Sequence, residues 1–416
     1  MRARWMLALC FLTASCSWSR YDALTKDPPV VLLERPSSVG ARFGATLGGG
    51  DDVLLTGGQP AQAGVALFVA GDPPAPLPAT ATCTDLARCR STATPAYLPS
   101  LPGKTRCFVA GIGRGEASLD DSAGLVGTCL EGGAFKLPVP EPFKARVIEP
   151  ALVPFSVLGF EGVVALASAD GRLGAASPET REAWLYDPGG ASFAVLPRPA
   201  YAVSSYGTTV AMVGGARPTF AVAAPADGQV ILHDPASGAV RGCVKRAAPW
   251  GVVMTAFVDA GRSWLAVSDG AGRVDVLDLA ALALDPGACV DPGAAARSVA
   301  CAETEDLTGC SGAAFGYSLA HGDLDGDGDQ ELIVGAPGAN VRDVPNAGAV
   351  FVFDQEGGDA PRDVLFLGAP GADDQLGAAV ATTRTGAHDV VAAGLPGTRK
   401  AVAVFLCGMS PGARCQ

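Results

Sequence analysis

Phe315-Gly316-Tyr-Ser-Leu-Ala-His-Gly-Asp323-Leu-Asp325-Gly-Asp327-Gly-Asp329-Gln-Glu331-Leu-Ile-Val-Gly-Ala-Pro337-Gly338, followed by Gly348-Ala-Val-Phe-Val-Phe353, decides the fold of this chain. Between Asp323 and Glu331, five carboxylates alternate with glycine and other residues, and Asp323, Asp325 and Asp327 stand at positions 1, 3 and 5 of a tight acidic loop. Two like charges about 4 Å apart repel by roughly 1 kcal/mol in water and about 4 kcal/mol at an effective dielectric near 20, so carboxylates at this density call for a counter-ion. The spacing wraps oxygens around a hard cation, and calcium, which accepts about 6 to 8 oxygens at flexible geometry, suits it better than magnesium. An EF-hand is excluded, because position 12 is Val334 where a bidentate Glu is required, and strands flank the loop.

Phe315 to Leu319 reads as a short strand before the loop, and Leu332-Ile-Val as a buried apolar run after it, stopped by Gly335 and Pro337. Ala349 to Phe353 reads as a further strand, so the acidic loop joins two strands of one small antiparallel sheet. Phe-Gly, an acidic loop and Gly-Ala-Pro in this order resemble the FG-GAP repeat of integrin alpha-subunit propellers. The resemblance implies a calcium site with side-chain ligands Asp323, Asp325, Asp327 and Glu331 and the backbone carbonyl of Asp329. Glu331 stands where that family usually has Asp, and its longer arm shifts or weakens the metal.

Degenerate copies of the unit run through the rest of the chain. Arg42-Phe43-Gly44, Val53 to Pro60 and Gly64 to Val69 make the first. Cys107 to Ile112 with Ala123 to Leu130, and Val163 to Ala167 with Ala183 to Tyr186, make a second and a third that keep two strands each. Tyr206-Gly207, Phe220 to Pro225 and Gly228 to Leu232 form the fourth, and Trp250-Gly251, Trp264 to Val267 and Gly272 to Leu277 the fifth. The acidic-loop copy is sixth, and Leu376-Gly377, Asp389 to Pro396 and Ala401 to Leu406 form the seventh. Short strands with Gly-rich turns at this period predict an all-β, seven-bladed β-propeller of FG-GAP-type repeats over residues 30–416. Unrelated sandwich domains would need separate cores and linkers, and the sequence has no such boundary. Val30 to Leu33 precedes the first copy as Asp363 to Leu367 precedes the seventh, so it is expected to close the last blade beside Ala401 to Leu406.

Arg2 and Arg4 stand before the apolar run Trp5 to Leu12, which is too short for a membrane span and reads as an export signal. Thr13-Ala-Ser-Cys16 resembles a bacterial lipoprotein cleavage box, which implies residues 1–16 as signal with lipidation at Cys16 and residues 17–29 as a tether. Ordinary cleavage with a secreted product is the alternative. After Ser17 no apolar run approaches 18 residues, so membrane attachment is expected through lipid alone. Of twelve cysteines, ten remain beyond Cys16, an even set that fits disulfides in an exported protein. Nearest-neighbour pairing is expected: Cys83 with Cys89, Cys107 with Cys129, Cys243 with Cys289, Cys301 with Cys310 and Cys407 with Cys415. A metal reading of these cysteines lacks the required spacing. The net charge of −12 argues against nucleic acid and polyanionic surfaces as partners.

The sequence points to no catalytic centre. His321 and His388 read as loop residues before acidic turns, with His233 at a strand end, and no nucleophile or third member is placed beside them. Gly316 to Ala320 imitates a nucleophile elbow without its strand-to-helix turn. Asp373-Asp374 reads as a solvated turn rather than a glycosidase pair. Trp184, Trp250 and Trp264 read as core residues on repeat strands, and 72–96, 279–314 and 340–346 as insertions on which binding would be built. The expectation is a monomeric, non-enzymatic, calcium-stabilised recognition or adhesion scaffold at the bacterial cell envelope, with one calcium site and a protein or glycan partner. A polysaccharide hydrolase or lyase and a periplasmic assembly factor are the alternatives.

Overall fold

The computed structural model describes residues 204–405, with short interruptions at 355–357 and 386–387, and upstream chiefly the strands between residues 30 and 202. Cys16, the 17–29 tether, Cys83, Cys89, Cys407 and Cys415 lie outside the described residues.

The apolar runs become strands because β-branched and aromatic side chains suit a pleated surface buried on both faces. Glu331–Ala336 and Ala349–Phe353 are buried at every position, and they pair with Val334 opposite Phe351. Period-2 alternation puts Phe351 and Phe353 on one face of their strand. There the ring of Phe315 meets both edge-on, at centroid distances of 5.2 and 6.0 Å. Each such ring contributes roughly 1.5–3 kcal/mol by leaving water.

Among the described residues, antiparallel strands follow one another in seven four-stranded sheets, one of which gains a fifth strand. The first sheet is Thr46–Gly50, Val53–Gly57, Val65–Val69 and Ala75–Pro76; the second is Ala96–Leu101, Lys104–Ile112, Gly124–Glu131 and Gly133–Leu137. The third is Ala165–Ala169, Arg172–Ser177, Glu182–Asp187 and Ser192–Val195. The fourth contains Val210–Val213, Thr219–Ala224, Gln229–His233 and Val240–Lys245, with Cys289–Val290 added in parallel to its last strand. The fifth is Val253–Asp259, Arg262–Ser268, Arg273–Asp278 and Ala296–Ala300, and the sixth Ser318–Gly322, Glu331–Ala336, Ala349–Phe353 and Asp363–Leu365. In the seventh, Val380–Thr385, His388–Leu395 and Ala401–Phe405 are followed by Val30–Glu34, with Val30 opposite Phe405. The sheets remain separate ladders. The first strand of each packs against the first strand of the next, and Val380–Thr385 packs against Thr46–Gly50. Thr383 Oγ1 donates to the carbonyl of Gly50 at 2.9 Å across that last contact.

One local device recurs. Gly44, Gly207, Gly251, Gly316 and Gly377 all have φ between +84° and +91°, in the left-handed region that favours glycine. The last four each donate a backbone hydrogen bond to the second strand of their own sheet: Gly207 to Ala223, Gly251 to Ser268, Gly316 to Gly335 and Gly377 to Gly394. The residue before each of these four, Tyr206, Trp250, Phe315 or Leu376, is buried. A Cβ on Gly316 would fall 2.3 Å from Ser268 Oγ.

This turn corrects two expectations. The strand before the acidic loop begins at Ser318 rather than Phe315, because Gly316 breaks extended backbone. Trp250 lies before its strand, buried, with Nε1 donating to Asp275 at 3.0 Å. The insertions 279–314 and 340–346 also contain strands. Ala296–Ala300 is the fourth strand of the fifth sheet, and Leu307–Thr308 pairs with Asn340–Val341. Disulfides join Cys243 to Cys289 and Cys301 to Cys310, as nearest-neighbour pairing anticipates. The backbone register sets Cys107 opposite Cys129.

Candidate metal centre

The acidic loop connects the first two strands of the sixth sheet, and its aspartates tie it into a coil. Asp323 Oδ1 accepts the amide of Gly326 at 2.7 Å, Asp325 Oδ1 that of Asp327 at 3.3 Å and Asp327 Oδ1 that of Asp329 at 2.9 Å. Gly326 and Gly328, at φ 74° and 96°, make the turn possible. The coil brings one carboxylate oxygen from each of Asp323, Asp325 and Asp327 within 4.8 Å of the others. Three acidic oxygens converging from positions 1, 3 and 5 are a donor set suited to a hard divalent cation.

Glu331 and Asp329 are placed differently. Asp329 is exposed at the end of the loop. Glu331 is buried on the second strand, where Oε2 accepts the amide of Leu324 at 2.8 Å and Oε1 meets Arg362 Nη1 at 3.1 Å. Burial pushes the Glu331 carboxyl up to about 8, with the Leu324 amide and the Arg362 charge pulling it down. Burial, with help from the charges of Asp325 and Asp329, also raises the Asp327 carboxyl.

Neighbouring sheets hold the loop from both sides. Asp259, ending the first strand of the fifth sheet, accepts the amide of Gln330 at 2.7 Å through Oδ1. Asp389, on the second strand of the seventh, accepts the amide of Asp323 at 3.0 Å through Oδ2. Arg362 reaches in from just before the sheet's fourth strand, with Nη2 on Asp325 Oδ2 and Nη1 on Asp354 Oδ1, both at 2.8 Å. None of these three was singled out as a site residue from the sequence. For the two aspartates a signal existed, since both fall at hairpin positions that correspond to the acidic loop in the adjacent copies.

The remaining candidates resolve into structural roles. His321 sits in the strand Ser318–Gly322 rather than a loop, with Nδ1 3.0 Å from Thr255 Oγ1 and its ring stacked 5.3 Å from Phe257. His388 likewise opens a strand, opposite Thr385. His233 is fully buried, with Nε2 2.9 Å from the hydroxyl of Tyr206. Burial pushes both His233 and His321 down to about 4, so these imidazoles are neutral internal ties at physiological pH. Asp374 is not part of a solvated turn: it is buried and pairs with Arg399 Nε at 2.7 Å, because Asp373, at φ 58°, turns the chain and leaves its neighbour facing inward.

Among the described residues no helix is long and apolar enough to cross a membrane. Comparison with curated proteins gives no match. The family model of the FG-GAP repeat matches residues 315–353, the segment that runs from the buried Phe315 through the acidic loop to Phe353, and the chain therefore carries an FG-GAP repeat in its sixth sheet.

Proposed function

We propose that the seven sheets are the blades of a propeller and that the protein is a non-enzymatic recognition scaffold for a protein or glycan partner, stabilised by calcium in the acidic loop of the sixth blade. The observation that carries this reading is the FG-GAP repeat at 315–353 set among sheets that repeat its strand order, four of which also share its left-handed glycine turn. The succession of first-strand contacts, returning from Val380–Thr385 to Thr46–Gly50, supports radial closure. Rigid blades joined by exposed turns give a surface on which recognition loops are built.

Asp323, Asp325 and Asp327 would hold the calcium, with Asp329 and Glu331 completing the set that the repeat implies. The ion supplies the positive charge that lets the carboxylates crowd together, and the chain's residues do the rest: Gly326 and Gly328 shape the coil, and Asp259 and Asp389 fix its ends. Disulfides are compatible with an exported protein, and the proposed location is the cell envelope, with Cys16 carrying the lipid.

The metal part is tested by thermal unfolding of chelator-stripped protein. Calcium raises the melting temperature and Asp325→Ala abolishes the gain; a melt indifferent to calcium overturns it. For recognition, immobilised protein is challenged with envelope proteins and acidic or neutral glycans, with and without calcium. Turnover of a glycan instead of retention would replace the scaffold reading with an enzymatic one.

A further inference from the structure

Arg362 is a buried cation at the edge of a site that the FG-GAP repeat assigns to a metal. Its side chain is 10% exposed, and its own amide is fixed to the carbonyl of Val352 at 2.7 Å. The guanidinium takes Asp325 Oδ2 on one nitrogen and both Glu331 Oε1 and Asp354 Oδ1 on the other. Asp354 is held in turn, since Arg297 Nη2 donates to its carbonyl at 2.7 Å.

Asp325 and Glu331 are two of the four side chains that the repeat offers to calcium, and in each both oxygens are engaged. Asp325 gives Oδ1 to the amide of Asp327 and Oδ2 to Arg362; Glu331 gives Oε2 to the amide of Leu324 and Oε1 to Arg362. A cation entering among Asp323, Asp325 and Asp327 therefore meets a fixed positive charge only one carboxylate away. It can take Asp325 or Glu331 only by sharing or displacing the guanidinium. The longer arm of Glu331 fits this arrangement, because it carries the carboxylate to the arginine while its backbone stays in the strand.

We propose that Arg362 is a resident counter-cation of the acidic loop, antagonistic to calcium, so that this blade keeps its loop folded without metal and binds calcium more weakly than its carboxylates alone would allow. The inference rests on the calcium reading above. It assigns to Arg362 the setting of affinity, a role distinct from ligation.

Calcium titration by calorimetry of the chelator-stripped full chain tests it. Arg362→Gln should bind calcium at least tenfold more tightly than wild type, and its metal-free form should melt at a lower temperature. Asp354→Asn removes the negative charge that competes for the same guanidinium nitrogen, commits Arg362 further to Glu331, and should weaken binding, so the antagonism is testable even if Arg362→Gln does not fold. Wild type that binds calcium, with Arg362→Gln no tighter or Asp354→Asn no weaker, overturns the antagonism and leaves the calcium reading standing. Binding seen only in Arg362→Gln supports the antagonism in its strongest form. Failure of both wild type and Arg362→Gln to bind overturns the calcium reading itself, and the antagonism with it.

Discussion

Asp389 and Asp323 clasp each other across two sheets: the Asp389 amide donates to the Asp323 carbonyl at 2.7 Å, and Asp389 Oδ2 accepts the Asp323 amide at 3.0 Å. The first residue of the acidic loop is thus positioned by the seventh sheet as well as by its own. Burial, aided by the Asp323 charge, raises the Asp389 carboxyl, and the hydrogen bond from Asp323 opposes that rise.

Removing the side chain leaves the Asp323 amide without its acceptor. Asp389→Ala is expected to cost about 1–3 kcal/mol, and Asp389→Asn, which keeps an acceptor oxygen, clearly less. Equilibrium denaturation of the two variants decides it; equal losses would show that the acceptor oxygen kept by asparagine contributes nothing.

The strand Val30–Glu34 gives a paired test. Leu33 is buried in a cluster with Leu47, Val402 and Val404, whereas Leu32 is 41% exposed. Leu33→Ala should cost roughly 2–5 kcal/mol through lost burial and the cavity left behind. Leu32→Ala should stay within about 0.5 kcal/mol. Similar effects at both positions would mean that the strand is not docked on the seventh sheet.

The cystines should differ by loop length. Cys243–Cys289 closes a separation of 46 residues that includes three strands of the fifth sheet, and Cys301–Cys310 closes only 9. Chain entropy then assigns about 4 kcal/mol to the longer and roughly 2.5 kcal/mol to the shorter. Melting of the two double-alanine variants should rank them in that order.

Asp363 should give the protein a pH dependence of recognisable sign. Its buried carboxyl is pushed up to about 7 by desolvation, with the Val364 amide and the Arg362 charge opposing, so the fold binds its proton more tightly than the unfolded chain does. This contribution is full below about pH 4, declines as pH rises, and is gone above about 7, a span on the order of 4 kcal/mol. His233 and His321, pushed down to about 4, act the other way, losing stability as pH falls below about 6.5. The two trends overlap in wild type, so the test is a difference: Asp363→Asn should gain stability over wild type at pH 8 and lose that advantage at pH 4.

The acidic loop was legible because its chemistry, turn glycines and flanking apolar runs all lie within one short segment. Of the two observed disulfides, Cys301–Cys310 brackets such a local excursion, whereas Cys243–Cys289 follows the order of the cysteines although three strands of the fifth sheet lie between them. Arg362 was not legible as a site residue, since an isolated Arg before a strand carries no signal until its own sheet folds it onto the loop, and Asp259 and Asp389 offered only their hairpin positions in the adjacent copies. The third sheet was legible only in part for a different reason. Arg172–Ser177 is Arg-Leu-Gly-Ala-Ala-Ser, whose small residues lack the β-branched signature and take their large partners from the next strand, Tyr186 opposite Leu173 and Trp184 opposite Ala175. The left-handed turn at Gly316 moved the following strand by a few residues, because an apolar pattern does not report the sign of φ.

Val30–Glu34 and Ala401–Phe405 share one ladder although almost the whole chain lies between them. During biosynthesis the early strand must wait for nearly every other residue to emerge before its partner exists. Contacts of such long sequence separation make assembly slow. In that interval an apolar edge stays open to pairing with a second copy. Maturation of this protein should therefore depend on whatever shields that nascent edge, more than on any single sheet elsewhere in the molecule.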